Sequence, residues 1–247
     1  MENFGDDAII KHQALAKLTA WFCQNIPYSS KDTALDHHGE LARRPLASIL
    51  ADLMEARVGV LCGGAATLMK VLASQLGYTA FSMNFGRRDG PESHVIVAAR
   101  LAENRYGFYD PTFGAFIGSS EREPADISDI VHAIRSRDFR GLKKIQVWSG
   151  ARLYIVDPRD FEKFERDFPH ARFSKRSDRI IAKMATRDLA QATFPAMVRW
   201  MRSIVADANE FDFFQFPIST SGESEAEGLA KIFSGTYGPS RKPGNGK

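Results

Sequence analysis

Cysteine is nearly absent from this chain: only Cys23 and Cys62 occur in 247 residues. Two cysteines cannot build a disulfide framework, so a reduced, intracellular setting is expected rather than a secreted scaffold. Long apolar runs are also missing, and none approaches the roughly 20 residues that a membrane-spanning helix requires. The opening residues, Met1-Glu-Asn-Phe-Gly-Asp-Asp7, lack the basic stretch and apolar core of a secretory leader. Neither sign of charge dominates, since 33 basic residues face 30 acidic ones for a formal net charge of +3. That small excess is only a weak pointer towards acidic substrates. Without a long basic block or a repeated basic–aromatic pattern, nucleic acid is not the expected partner. No internal repeat is found. Together these absences predict a soluble, cytoplasmic protein with neither membrane nor nucleic acid among its partners.

What is present is ordinary globular material, 44% hydrophobic and 26% charged, enough for one large domain or two small ones. Ile9 to Asn25 has Leu15, Leu18 and Phe22 at helical spacing and stops before Pro27. Pro45 opens a second helix with Leu46, Ile49, Leu50 and Leu53 on one face. A third, largely buried helix follows Cys62, carries Leu68, Met69, Val71, Leu72 and Leu76, and closes at Gly77. Thr79–Phe85, His94–Leu101 and Arg105–Asp110 read as strands. The polar loop from Gly86 to Ser93 and the turn Ala102-Glu-Asn104 separate them. Further on, Ile127–Ser136 reads as helix, and Ile145–Trp148 and Leu153–Val156 as strands joined through Ser149-Gly150. Asp160–Phe168 and Asp178–Ala208 read as helices, the latter broken or kinked at Pro195. From Ser219 the composition is that of a disordered tail.

The sharpest chemistry lies at Cys62. A thiol is a useful nucleophile only as a thiolate, and a helix N-terminus lowers its pKa from about 8.5. Gly63 and Gly64 remove side chains from the approach to the sulfur. Backbone N–H groups of Cys62 and Gly63 are candidate oxyanion donors. A thiolate also needs a partner that holds it and protonates a leaving group, and His94 suits both tasks at the start of its strand. Asp110 ends the next strand ahead of Pro111, where a carboxylate orients an imidazole and stabilises its charged form.

Strand register bears on this independently. A three-residue loop pairs Leu101 with Arg105, sets His94 opposite Thr112 and makes Asp110 its diagonal neighbour on one face. A two-residue loop puts them on opposite faces unless a bulge intervenes. The sequence leaves both open.

Helix, loop, Gly-x-x-Cys62 at a buried helix, strand, His94-led strand, turn, then Asp110-Pro-Thr resembles the transglutaminase-like superfamily. The resemblance runs from about Ala14 to Gly114 and includes Trp21-Phe-Cys-Gln-Asn-Ile-Pro-Tyr28. It implies a papain-like fold, with Cys62 as nucleophile, His94 as base and Asp110 as orienting acid. It also implies acyl chemistry on amides, in a superfamily of transamidases, peptidases and deamidases. The chain departs from the pattern at Gly63-Gly64, where many relatives carry an aromatic or a charged pair, and at Val95, where many carry an aromatic. Those departures bear on substrate rather than on the three residues. Asp110-Pro-Thr-Phe-Gly114 is also similar to the Asp-x-x-Phe-Gly of arylamine N-acetyltransferases. Arg57-Val-Gly-Val-Leu-Cys62 matches their Arg-Gly-Gly-Cys poorly, so that reading ranks second.

Other residues receive plainer readings. Cys23 reads as packing on an apolar helix. Asp36-His37-His38-Gly-Glu40 has metal-binding residue types, but adjacent histidines diverge and no fourth ligand is evident. Arg87 and Arg88 read as solvated loop charges. Gln24 and Asn25 are alternative side-chain oxyanion donors between which the sequence does not choose.

The expectation is therefore an α+β, papain-like/transglutaminase-like core over 1–157, its nucleophile helix packed on an antiparallel sheet. A helical C-terminal extension (158–218) and a disordered tail (219–247) follow. The expected enzyme forms a thioester on Cys62 from a peptide, protein or small amide substrate and passes the acyl group to water or an amine. It requires no metal or organic cofactor. A non-catalytic binding module on the same fold is the remaining alternative.

Overall fold

Helix α1 (Asp6–Asn25) buries Ala8, His12, Leu15, Thr19, Phe22 and Cys23, the three- and four-residue spacing of an amphipathic helix. Asp6 and Asp7 occupy its first turn, where negative charge favours the helix dipole. The helix closes as the Ile26 N–H donates to Phe22 O at 2.9 Å, and Pro27 has no N–H to continue it. The computed structural model describes residues 5–29, 34–35, 41, 43–86, 93–103, 105–118, 123–126, 129, 138, 140–148, 150–176 and 179–185. All of them fall within one compact unit, Met1–Phe214; the second unit, Gln215–Lys247, lies outside them.

The two-residue strand β1 (Tyr28–Ser29) is followed by α2 (Leu46–Met54) and α3 (Cys62–Gln75). Between α2 and α3 the chain runs alongside β1, with a parallel bridge from Val60 to Tyr28 and a hydrogen bond from Val60 N to Pro27 O at 3.1 Å. This close approach requires glycine at 59, since a Cβ there would sit 2.6 Å from Ser29 Cβ and 3.0 Å from Tyr28 O. α3 ends in a Schellman motif. Gly77 is left-handed (φ 83), and the N–H groups of Gly77 and Tyr78 bond to Ser74 O and Ala73 O.

Five antiparallel strands form the main sheet: β2 (Ala80–Gly86), β3 (Ser93–Ala102), β4 (Arg105–Asp110), β5 (Ala115–Gly118) and β6 (Lys143–Gln146). α3 packs on β2 and β3, and α1 on β3, β4 and β5. Leu15, Phe22, Met69, Val97 and Tyr109 are all fully buried in the core these elements share. The architecture is mixed α+β, with a cysteine-led helix on an antiparallel sheet, as the apolar periodicity predicts.

A second sheet has the order β1–β7–β9–β8. β7 (Ala151–Val156) runs parallel to β1 with Tyr28 beside Tyr154, and antiparallel to β9 (Arg179–Ala185), which pairs with β8 (Arg172–Arg176). A 3₁₀ turn (Pro158–Asp160) and α4 (Phe161–Asp167) precede β8. Phe161, Phe164 and Phe168 cover one face of this sheet with Tyr154 and Phe173. Arg152 is 1% exposed. Its guanidinium reaches Ile26 O at 3.4 Å, at the end of α1, and lies over the Tyr28 ring at 5.3 Å.

Three expectations change here. Residues 179–185, expected as the start of a helix, form β9. Ile180, Ala182 and Met184 line one face while Ile181 is buried on the other, so the segment shows no single period. Because β9 pairs with β7, the chain boundary expected at 157 runs through one continuous sheet. The strands on either side of Ser149-Gly150 do not form a hairpin: β6 joins the first sheet and β7 the second. The chain is turned by Val147 N and Trp148 N, which both bond to Gly114 O, at 2.8 and 3.1 Å. Strand β5 was not anticipated. All of Ile127–Ser136 except Asp129 lies outside the described residues, as do the 36–40 cluster, Arg87, Arg88, the rest of the expected helix from 186, and the tail.

Candidate active site

β3 and β4 bring His94 and Asp110 together, and a bulge makes it possible. Ala102 pairs with Arg105, so the turn holds two residues, yet Arg100 pairs with Tyr106 and Val97 with Tyr109. Leu101 is the extra residue. It restores the register that a three-residue loop would give and puts Asp110 diagonal to His94. His94 Nε2 lies 2.9 Å from Asp110 Oδ2, with their side chains 13% and 8% exposed.

The other carboxylate oxygen is held by the turn that follows. Asp110 Oδ1 accepts from the backbone N–H of Thr112 at 2.9 Å and of Phe113 at 3.1 Å. Gly114 closes this turn at φ 59, a conformation that favours glycine. A Cβ there would also lie 2.9 Å from Trp148 Cβ and 3.0 Å from Cys23 Sγ. Cys23, fully buried, packs beneath the turn with its sulfur 4.0 Å from Thr112 O. Gln146 braces the turn from β6 by donating to Phe113 O and Trp148 O. The Phe113 ring stands 5.2 Å from the His94 ring.

Cys62 is the first residue of α3. Leu61 contributes no side-chain cap, and no carboxylate occupies the first turn. Cys62 and Gly63 are thus among the N-terminal residues whose N–H groups lack an intrahelical acceptor. Burial pushes the Cys62 thiol up, but a hydrogen bond to His94, the His94 charge and a hydrogen bond from the Val95 backbone outweigh it. Against some repulsion from Asp110, the thiol ends below its ordinary value. Burial likewise opposes charge on His94, yet the Asp110 charge and hydrogen bond, with Cys62, raise the imidazole to about 9. Both shifts favour a thiolate–imidazolium pair over neutral partners. With Nε2 turned to Asp110, Nδ1 is the ring atom left for the sulfur.

The three residues singled out from sequence are therefore brought together. Asn25 is not drawn in, since its amide donates to Trp21 O at 2.7 Å on its own helix, and Gln24 is exposed. Sequence reasoning missed Phe113 as a neighbour of His94, although it sits inside the Asp110–Gly114 motif, and Gln146, which carries no local signal. It also missed His12. Its Nδ1 lies 2.9 Å from the Tyr109 hydroxyl, and its ring meets Phe116 edge-on at 4.6 Å. Burial holds His12 down at about 4 and pushes Tyr109 well up. A neutral ring therefore faces a protonated phenol in the core behind Asp110.

Among the described residues, no group of three or more His, Cys, Asp or Glu is placed to hold a metal ion. No described helix is long and apolar enough to cross a membrane. The site defines a part-buried Cys–His–Asp cluster on an α+β scaffold. No family model, curated protein or solved structure matches the chain.

Proposed function

We propose that this chain is a cysteine-dependent acyl-transfer enzyme acting on amides, with a papain-like, transglutaminase-like core. The observation that carries this reading is the line from Cys62 through His94 to Asp110, with the 2.9 Å contact at its far end. In this mechanism the Cys62 thiolate adds to the amide carbonyl carbon. N–H groups of Cys62 and Gly63 hold the oxyanion. As the C–N bond breaks, His94 gives its proton to the leaving amine, and a thioester remains on Cys62. His94, now neutral, takes a proton from water or an incoming amine as that nucleophile attacks the thioester. The products are an acid or a new amide, and the thiolate–imidazolium pair is restored. Asp110 orients the ring and stabilises its charge throughout.

Labelling of the native protein with an electrophilic amide probe, followed by peptide mapping, tests this. Modification is expected on Cys62, lost in His94→Ala, and absent from Cys23. A protein that stays unmodified, or reacts first at Cys23, removes the reading. Incubation with a labelled acetyl thioester addresses the acetyltransferase alternative: acetyl-Cys62 passed on to an arylamine would replace amide chemistry.

A further inference from the structure

We infer that the β8–β9 hairpin is a docking edge for an extended acidic segment of a partner protein. From Arg172 to Lys183, five cations (Arg172, Lys175, Arg176, Arg179 and Lys183) accompany one anion, Asp178. This segment is net +4 in a chain whose total is +3, leaving a net −1 for all the other residues. The chain's positive charge is concentrated here.

The register sharpens that concentration. Arg172 stands directly opposite Lys183, and Arg176 opposite Arg179, so the pairing sets like charge against like, which destabilises a two-stranded ladder. Arg172, Lys175 and Lys183 are exposed and Arg179 is half-buried. Among the described residues none of these four has an ion-pair partner. Repulsion of this kind is relieved when an outside anion binds.

β8 ends the sheet among the described residues, and Arg172, Ser174 and Lys175 are exposed along it. Its outer edge therefore presents backbone N–H and C=O groups to an added strand. In an added strand, every second side chain points to one face, at a repeat of roughly 6.8 Å. Alternating carboxylates on that strand would face Arg172, with Lys183 one strand further in on the same face, while its main chain pairs with β8. Nucleic acid fits less well. The one aromatic of the hairpin, Phe173, is packed against Phe161 with ring centroids 5.1 Å apart, so it offers no platform for a base.

The inference is independent of the acyl-transfer reading and is tested without turnover. Fluorescence anisotropy on the full chain would compare a peptide alternating Glu and Thr with a blocked peptide of the same composition. An N-methylated version of the alternating peptide and an oligothymidylate complete the set. The alternating peptide is expected to bind in a salt-sensitive way. Blocking or N-methylation should weaken it about tenfold or more, as should Arg172→Glu with Lys183→Glu, through charge reversal and lost strand pairing. Should the charge-reversed protein fail to fold by circular dichroism, Arg172→Gln with Lys183→Gln is read instead. Equal binding of the blocked or N-methylated peptide, or tighter binding of the oligonucleotide, overturns the inference. So does an absence of peptide binding together with self-association of the neutralised variant, because the charges would then only guard the edge.

Discussion

The ring of Phe113 lies 5.2 Å from the ring of His94, tilted by 39°, while its own N–H donates to the carboxylate that His94 contacts. An aromatic face at this distance attracts an imidazolium more than a neutral imidazole, by about 0.5–2 kcal/mol. Phe113→Ala keeps the backbone donor and removes the ring. Its upper pH limb for amide turnover should move to lower pH by about 0.4–1.5 units, while the rate near neutrality, below that limb, should change little. Phe113→Tyr should restore the limb. If the alanine variant loses stability but keeps the wild-type pH profile, the ring acts only in packing.

The pH dependence of the cluster follows from its two shifts. Turnover should rise as Cys62 loses its proton and fall as His94 loses its own near 9. Asp110→Asn should bring the falling limb down, because the Asp110 charge is the largest influence raising His94. Since folded His94 holds its proton more tightly than the unfolded chain does, its stabilising contribution is complete below about 6.5. It disappears as pH climbs through about 9. Urea unfolding across that interval, in wild type and His94→Gln, measures it; parallel stability curves would contradict the assignment.

The three residues should behave as one unit under mutation. Cys62→Ala should abolish covalent turnover. His94→Ala should lower activity by several orders of magnitude, because it removes both the thiolate's partner and the leaving group's acid. Asp110→Asn should cost less than loss of Cys62, and adding it to His94→Ala should cost little more, since the carboxylate works through the ring. Strict additivity in that cycle would show Asp110 acting independently of His94.

His12 predicts an acid limit on stability. Its proton is disfavoured when folded, so the stability it contributes is present above about 6.5 and is lost as pH falls towards about 4. His12→Gln keeps a polar group beside Tyr109 without the charge, and should flatten the stability curve over that interval. An unchanged acid slope would mean that other groups set it.

The grouping of the candidate site was legible because its residues occupy marked places: Cys62 opens a glycine-flanked helix, His94 lies at the start of a strand and Asp110 closes one. The register was legible only as two alternatives. The choice between them rests on Leu101, an ordinary leucine whose burial in the core at 1% exposure gives no local sign of a bulge. β9 was misread because Ile180, Ile181 and Met184 suit a helix stripe as well as a strand buried on both faces. Gln146 and His12 act across the fold. Their partners, Phe113 and Tyr109, lie 33 and 97 residues away, beyond any window of local pattern.

The parallel pairing of β1 with β7 has a kinetic consequence. Tyr28 is flanked by Val60, two residues before Cys62, on one side and by Tyr154 on the other. The neighbouring Ile26–Arg152 contact closes a span of 126 residues. Long-range closures lose chain entropy before their contacts repay it, and a topology that depends on them folds slowly. During synthesis, Cys62 and His94 emerge well before the strand that fastens the approach to Cys62. A nascent chain ending before residue 151 therefore carries Cys62, His94 and Asp110 without β7 and its partners, and under the proposed function its thiol chemistry would await the later half.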